Sequence, residues 1–279
     1  MSPSTNTMLS PTSTANPRDI TIHIPRLGFG VYQIPPDTCT AAVKHALATG
    51  YRHIDTAQLY RNELQVGIAV VESNITRSEI FITTKQGILG STPEETYSLA
   101  LASITKISGK DGYVDLFLIH IPHIRGGADG RKELWQTLER LYDEGKVKAI
   151  GVSNYGVEHL EEMRSYARVW PPHVNQIELH PWRQQRGVVR YCEERGIVVQ
   201  AYSPLAEGMK LDDEVLEGIA RKYGKSPAQV LVRYGLQKGW VVLPKSERVE
   251  RMRENRDVFG FELNGGDMEG LNGLDEEEE

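Results

Sequence analysis

The chain has 279 residues, a formal net charge of −6, 39% hydrophobic residues and 25% charged residues. This composition supports a buried core, which excludes a wholly disordered chain. No apolar run approaches the roughly 20 residues of a membrane-spanning helix, and an acidic chain without a basic stripe is unlike a nucleic-acid binder. The length fits one or two domains, or a single α/β barrel of about 250 residues.

The amino-terminal segment 1–17 contains no hydrophobic run and no basic residue, so it resembles neither a signal peptide nor a mitochondrial presequence. We expect a disordered tail there, and a cytoplasmic protein. The two cysteines, Cys39 and Cys192, lie far apart in the sequence, which predicts no disulfide framework. The acidic residues 275–279 are expected to form a solvated end. Between these two segments, we predict a single domain over 18–274.

Short apolar runs alternate with helical segments through this domain, and Gly50, Gly145 and Gly196 each separate a helix from the next run. Glycine ends a helix at low cost because it adopts positive φ angles easily. The runs are continuously apolar and β-branched, which is typical of strands buried on both faces of a parallel sheet. Eight strands are predicted, at 27–32, 51–54, 80–84, 114–119, 147–152, 173–178, 197–202 and 240–243.

Helical periodicity fills the intervals between these strands. Leu134, Leu138 and Leu141 have the spacing of one buried helical face. Ser226 and Pro227 form a good cap and first turn for a helix that runs to about Lys238. The segment 212–238 then holds two helices before the last strand. Eight strand–helix units predict a (β/α)8 barrel, the TIM-barrel fold, with an open doubly wound sheet as the alternative.

Ionisable side chains stand at the predicted strand ends, where barrels of this type place their active sites. Asp55 and Tyr60 come after the second strand, Lys85 after the third and His120 after the fourth. A lysine cation beside a tyrosine favours the phenolate, so we expect a lowered pKa for Tyr60. A tyrosine of this kind can donate a proton near neutral pH. Each residue alone has an ordinary structural explanation, such as a helix cap for Asp55.

A second group of polar residues follows the last strand. Lys245 and Ser246 are expected to begin the final helix, with Arg251 further along it. Helix amino termini and arginine side chains both bind phosphate groups well. An ordinary charged surface is the alternative, since Glu247 and Glu254 lie close by in the sequence. No spacing of histidines and cysteines suits a zinc site, and no nucleophile elbow is present.

Several motifs, in order along the chain, resemble those of the aldo-keto reductases. The resemblance runs from about Arg26 to Leu263, which is nearly the whole predicted domain. It is specific because many separate motifs agree. They are IPRLGFG at 24–30, HIDTA at 53–57, YRNE at 60–63, FITTK at 81–85, DLFLIH at 115–120, GVSNY at 151–155, NQIELHP at 175–181, AYSPL at 201–205 and LPKS at 243–246.

The resemblance implies an NADPH-dependent reductase of small-molecule carbonyl compounds, with no metal and with NADH less favoured. It implies a catalytic tetrad of Asp55, Tyr60, Lys85 and His120, with Tyr60 as the general acid. The acidic composition and the lack of a long apolar run predict no nucleic-acid or membrane partner, and we expect a monomer or weak homodimer. The implied cofactor contacts are Ser153, Asn154, Gln176 and Tyr202 at the nicotinamide, Ser203 and Leu205 at the pyrophosphate, Lys245, Ser246 and Arg251 at the 2′-phosphate, and Glu254 and Asn255 at the adenine.

The chain departs from the family pattern around the substrate. Tyr32, Ile121 and Trp182 stand at substrate-binding positions where other aromatic residues are common, and Gly87 replaces an aromatic residue. The hairpin before the first strand looks shortened, at 19–25. We therefore expect a wider and less aromatic substrate pocket. A cofactor-binding regulatory or structural protein of the same fold, with little turnover, is the alternative function.

Overall fold

A computed structural model describes residues 6–9 and 22–276 of the chain. Eight parallel strands follow one another around a single sheet. The amides of Gly28 and Gly30 donate to the carbonyls of Val242 (2.9 Å) and Pro244 (3.1 Å), which joins the first of these strands to the last. The predicted (β/α)8 barrel is confirmed, and the doubly wound alternative is wrong. The strands are β1 (Asn6–Leu9), β2 (Ile22–Pro25), β3 (Phe29–Gly30), β4 (His53–Asp55), β5 (Phe81–Gln86), β6 (Val114–Ile119), β7 (Val147–Ser153), β8 (Val174–Glu178), β9 (Val198–Tyr202) and β10 (Val241–Leu243), of which β3 to β10 form the barrel.

Helices surround the barrel and return the chain from one strand to the next. The predicted pair of helices between the last two strands is confirmed, and the Ser226 side chain caps the second by accepting from the Gln229 amide at 3.3 Å. Within the described residues, no helix is both long and apolar enough to cross a membrane. The helices are α1 (Pro36–Ala48), α2 (Glu63–Glu72), α3 (Pro93–Ser108), α4 (Gly127–Asp143), α5 (Val157–Met163), α6 (Arg186–Glu194), α7 (Glu214–Tyr223), α8 (Pro227–Gln237), α9 (Val249–Arg256) and α10 (Gly265–Asn272).

Three predicted boundaries are wrong in ways that affect the site. The first barrel strand is only Phe29–Gly30, because the chain turns at Val31, whose carbonyl accepts from the Ile34 amide. Lys85 does not follow its strand but lies within β5, paired in register with Leu118. A strand inside the barrel can include a charged residue when its side chain is paired. Lys245 and Ser246 lie in a loop, since α9 begins only at Val249 and α10 follows it.

The two ends of the chain also differ from expectation. Most of the expected tail 1–17 lies outside the described residues, but Asn6–Leu9 within it pairs antiparallel with Ile22–Pro25, so the hairpin is not confined to 19–25. At the other end, the expectation of a solvated segment is wrong for Asp275. Its carboxylate lies 2.9 Å from the Arg186 guanidinium, and its side chain is 10% exposed. The remaining residues 277–279 lie outside the described part.

The side-chain alternation of the strands divides the core into two parts. One residue in two along each strand points outward to a large apolar shell beneath the helices. The inward-pointing residues of the lower barrel form a separate apolar cluster, which Ile24 of the hairpin closes from below. Cys39 and Cys192 are free and buried. The inner cluster contains Ile24, Phe81, Leu116, Leu118, Ala149, Val174, Val241 and Leu243.

Helices α2 and α3 approach each other closely at Gly67, where an added Cβ would lie 2.4 Å from the Lys106 carbonyl oxygen. We expect Gly67→Ala to lower the free energy of unfolding by about 1–3 kcal/mol, because the contact involves rigid backbone. The matched control is Gly187→Ala in α6, where an added Cβ would meet nothing within 4 Å. It should raise that free energy by about 0.5–1 kcal/mol. Urea unfolding measures the free energy of unfolding of both variants. Equal changes in the two variants would contradict a close backbone contact at Gly67.

Candidate active site

The same alternation that builds the apolar cluster brings polar side chains together one layer higher. On β5, the inward positions after Phe81 are Thr83 and Lys85, and on β4 they are His53 and Asp55. On β8 and β9, the corresponding inward residues are Gln176 and Gln200, which are directly opposite in register. The upper barrel is therefore polar although the strands are buried on both faces.

The Lys85 ammonium group lies at the centre of this layer. Its Nζ donates to Asp55 Oδ2 at 2.6 Å, to the Thr56 carbonyl at 3.1 Å and to the Tyr60 hydroxyl at 3.1 Å. The Lys85 side chain is fully buried and that of Asp55 is 6% exposed. A lysine has three N–H donors, so these three acceptors satisfy it completely. Asp55 and Tyr60 are thus brought together by one buried cation.

Tyr60 reaches this cation from a short 3-10 turn, Gln58–Tyr60, that follows β4. Its hydroxyl contacts Lys85, and its ring meets the His120 ring edge-on, with 5.5 Å between the centroids. The Tyr32 ring packs against its other side, with 4.9 Å between the centroids. The predicted tetrad therefore converges at one point, and Tyr32 adjoins it.

The second carboxylate oxygen of Asp55 faces away from Lys85 and is also satisfied. Gln176 Nε2 donates to Asp55 Oδ1 at 2.8 Å and to Gln200 Oε1 at 2.9 Å. Gln176 is thus already engaged with the tetrad, in addition to its place on the cavity wall. Gln200 was not identified in the sequence, although it stands two residues before Tyr202 on the same strand face.

Burial and the neighbouring charges both shift the pKa values of this group. It raises the pKa of Tyr60 above its ordinary value, and the attraction of Lys85 for the phenolate offsets only part of this. Burial acts to lower the pKa of Lys85, but Asp55 and Tyr60 outweigh it and the net shift is upward. Burial and the neighbouring Lys85 charge lower the pKa of His120 to about 3. At neutral pH the group holds a phenol, an ammonium ion and a neutral imidazole. The expectation of a lowered Tyr60 pKa is wrong, because the net shift of that pKa is upward.

A chain of hydrogen bonds extends from the tetrad along the wall. Tyr202 donates its hydroxyl to Asn154 Oδ1 at 3.0 Å, and Asn154 Nδ2 donates to the His120 carbonyl at 3.1 Å. The Ser153 hydroxyl donates to the Gln176 carbonyl at 2.8 Å. Asn154 holds a positive φ of 62°, a conformation that asparagine tolerates better than most residues. These bonds orient a polar surface beside Tyr60.

A cavity of about 1140 Å³ starts at Tyr60 and His120 and runs between the loops after β9 and β10. All eleven residues predicted to contact the cofactor line it, as does Tyr32. Ile121 and Trp182 are not among its described lining residues. Trp182 is 5% exposed and belongs to the apolar shell, with its ring 6.1 Å from the His180 ring. The structure therefore does not bring these two predicted substrate contacts to the cavity.

The far end of the cavity is lined by the cations Lys245, Arg248 and Arg251 and by the carboxylates Glu247 and Glu254. Lys245 forms a salt bridge with Glu247 at 2.7 Å, which leaves it partly neutralised. Arg248 and Arg251 also line this end, and neither guanidinium forms a hydrogen bond or ion pair within the described residues. Arg248 was missed in the sequence, although its position three residues before Arg251 is a signal for two cations on one side of a helix start. No cluster of metal-ligating side chains occurs in the part of the chain that the structure describes.

The sequence model of the Aldo/keto reductase family matches residues 26–276. The chain therefore belongs to this family, and it is an oxidoreductase, as the resemblance of its motifs implied.

Individual relatives agree over most of their length. A curated glyoxal reductase of Bacillus subtilis is 43% identical over 260 residues, which covers 92% of this chain and 91% of the relative. The crystal structure of an aldo/keto reductase from Brucella melitensis is 43% identical with a TM-score of 0.84, covering 91% of this chain and 96% of that one. A mutant of Gox0644 crystallised in complex with NADPH is 38% identical with a TM-score of 0.84, covering 97% and 94% of the two chains.

We expect the His120 imidazole to stay neutral from about pH 8 to about pH 5, because its pKa is lowered to about 3 and it gains a proton only as the pH falls toward that value. The measurement is ¹⁵N NMR of the histidine rings, with the His120 signal assigned by its loss in His120→Asn. A signal that titrates near pH 6.5 would show that the ring is solvated and not desolvated.

Proposed function

We propose that the chain is an NADPH-dependent reductase that converts aldehyde or ketone groups of small molecules to alcohols, with Tyr60 as the general acid. The observation that carries this proposal is the 3.1 Å contact between Lys85 Nζ and the Tyr60 hydroxyl at one end of a long cavity. A phenol held beside a buried ammonium ion is a proton donor whose conjugate base is already stabilised. The cytoplasmic location and the monomeric or weakly dimeric state remain predictions.

The cavity lining fits NADPH. An elongated cavity suits a dinucleotide whose 2′-phosphate is anionic when one end has two arginines without a partner among residues 6–9 and 22–276 and the other end has polar amides. Arg251, Lys245 and Ser246 would hold that phosphate together with Arg248, and Asn154 and Ser153 would face the nicotinamide. NADPH supplies a hydride when it is bound. The NADPH complex of Gox0644 supports the same choice of cofactor.

The residues of the chain control the proton. Tyr60 is protonated at neutral pH because a phenol has an ordinary pKa of about 10 and burial raises it further, so Tyr60 can transfer its hydroxyl proton to the carbonyl oxygen as negative charge develops there. The Lys85 ammonium then stabilises the phenolate that Tyr60 becomes, until water reprotonates it. His120 is neutral, so its imidazole can donate a hydrogen bond to the carbonyl oxygen and orient it without competing as an acid.

The substrate end of the cavity is open. Tyr32 is 55% exposed and Leu59 is 47% exposed beside Tyr60, and Gly87 presents no side chain next to His120, whose Cβ would lie 3.3 Å from an added Cβ. These features support the proposal that the substrate carbonyl reaches Tyr60 through an open site and not through a deep aromatic pocket. The name of the Bacillus relative, glyoxal reductase, supports including small dicarbonyl compounds in the first substrate panel.

Replacing Tyr60 with phenylalanine should lower kcat for carbonyl reduction by about a hundredfold or more, since general acid catalysis contributes about that much. The dissociation constant of NADPH should change little. Steady-state oxidation of NADPH and fluorescence titration measure the two quantities.

Tyr51→Phe is the matched control, because Tyr51 is buried, donates one hydrogen bond to the Met252 carbonyl and lies outside the cavity lining. Equal turnover in all three proteins would remove Tyr60 as the acid, and tight NADPH binding without turnover in the unmodified chain would favour a regulatory or structural role.

Replacing Arg251 with alanine should weaken NADPH binding by about tenfold or more and leave NADH binding nearly unchanged, because a charged hydrogen bond to the 2′-phosphate contributes about 1.5–3 kcal/mol. Arg253→Ala is the control, since Arg253 lies on the same helix but outside the lining of this cavity. Fluorescence titration with each nucleotide gives the ratio. Equal weakening of NADPH and NADH would contradict the assignment of the 2′-phosphate to Arg251.

A further inference from the structure

The motif YRNE at 60–63 contains a residue that the catalytic scheme does not use. Asn62 stands two positions after Tyr60, is fully buried, and does not line the cavity. We propose that Asn62 is a positioning residue that holds the turn of Tyr60 and the turn of Tyr32 in one fixed arrangement. This inference rests on the proposed function, because it concerns the placement of the proposed acid.

On one side, Asn62 closes the loop that carries Tyr60. Asn62 Oδ1 accepts a hydrogen bond from the Thr56 hydroxyl at 2.8 Å, which joins the two ends of a seven-residue segment. Thr56 is itself held firmly, since its amide donates to the Thr83 carbonyl at 2.9 Å and its carbonyl accepts from Lys85 at 3.1 Å. The loop that carries Tyr60 is thereby anchored to β5. It is also anchored to the same Lys85 ammonium group that the Tyr60 hydroxyl contacts.

On the other side, Asn62 holds the turn that carries Tyr32. Asn62 Nδ2 donates to the Val31 carbonyl at 2.9 Å and to the Ile34 carbonyl at 3.1 Å, the two ends of that turn. Gln33 within the turn has a positive φ of 60°, which is an unfavourable conformation for most residues. Tyr32 and Tyr60 are in ring contact, so one amide side chain fixes both members of the pair.

The chemistry requires an amide at this position. The two N–H donors and the oxygen of Asn62 all have partners, so the side chain can lie in only one orientation. Aspartate would keep an acceptor for Thr56 but would present oxygens to two carbonyls and bury a charge. The geometry of an acid depends on such contacts, since a displacement of about 1 Å can cost on the order of a hundredfold in rate.

The test compares Asn62→Asp with Gln237→Glu. Gln237 also joins two segments through its amide, since its Nε2 donates to the Leu263 carbonyl and its Oε1 accepts from the Leu263 amide and from Arg233 Nε, and it lies outside the cavity lining. We expect kcat for carbonyl reduction to fall at least about tenfold in Asn62→Asp, with the NADPH dissociation constant within about twofold of the unmodified protein. Gln237→Glu should keep its kcat.

A second measurement does not depend on turnover. In protein labelled with ¹³Cζ-tyrosine and free of cofactor, the Tyr60 signal is assigned by its absence in Tyr60→Phe. We expect this signal to shift or broaden in Asn62→Asp and to stay unchanged in Gln237→Glu. An unmoved Tyr60 signal in folded Asn62→Asp overturns the inference, whatever the activity of the unmodified chain.

A milder pair covers the case in which Asn62→Asp does not fold. Thr56→Val replaces the hydroxyl that closes the loop with a methyl group, and Thr56→Ser keeps that hydroxyl. We expect Thr56→Val to lower kcat and move the Tyr60 signal, and Thr56→Ser to recover most of both. If Thr56→Val keeps kcat within about twofold and leaves the Tyr60 signal in place, Asn62 does not position Tyr60. Failure of the proposed function is separate, since it appears as equal turnover of the unmodified protein and Tyr60→Phe.

Discussion

A fully buried ammonium group is the constraint on which the rest of this site depends. Moving an isolated charge out of water costs several kcal/mol, and Lys85 avoids that cost only because Asp55, Thr56 and Tyr60 supply an acceptor for each of its N–H bonds. Every one of these acceptors must therefore lie in place when the barrel is folded. Removal of any one acceptor would leave an N–H donor of Lys85 unpaired in the protein interior. The contacts that offset the cost of burying this charge therefore also fix the position of the Tyr60 phenol.

The barrel meets this constraint by its side-chain alternation. The lower inward positions are apolar and pack against Ile24. The upper inward positions are polar, and Gln176 donates to Asp55 there. The charge of Lys85 is balanced locally by Asp55, whereas Arg248 and Arg251 at the far end of the cavity have no partner within the described residues. At the Tyr60 end of the cavity the buried charges are thus paired. At the far end the two arginines are available to a ligand. This separation suits a cofactor that is anchored by its phosphate and reacts at its opposite end.

Most of the site could be predicted from the sequence because its residues occur in motifs at strand ends. The misplacements have physical causes. Lys85 was expected after a strand at 80–84, but the strand continues through it because the inward lysine finds acceptors for its charge. The Tyr60 pKa was expected to fall because only the neighbouring cation was considered, and the depth of burial outweighs it. Trp182 was expected at the substrate by position in a motif, yet its ring is taken up by the apolar shell.

The sequence by itself determined the order of strands and helices, the barrel and the identity of the four ionisable residues, since local periodicity and motif order carry that information. Tertiary structure alone decided which atoms meet. The bonds from Asn62 to two separate turns, and from Gln200 through Gln176 to Asp55, join residues far apart in the chain. Protonation states belong to the same class, because a pKa depends on how deeply a group is buried and on charges that only the folded barrel brings near.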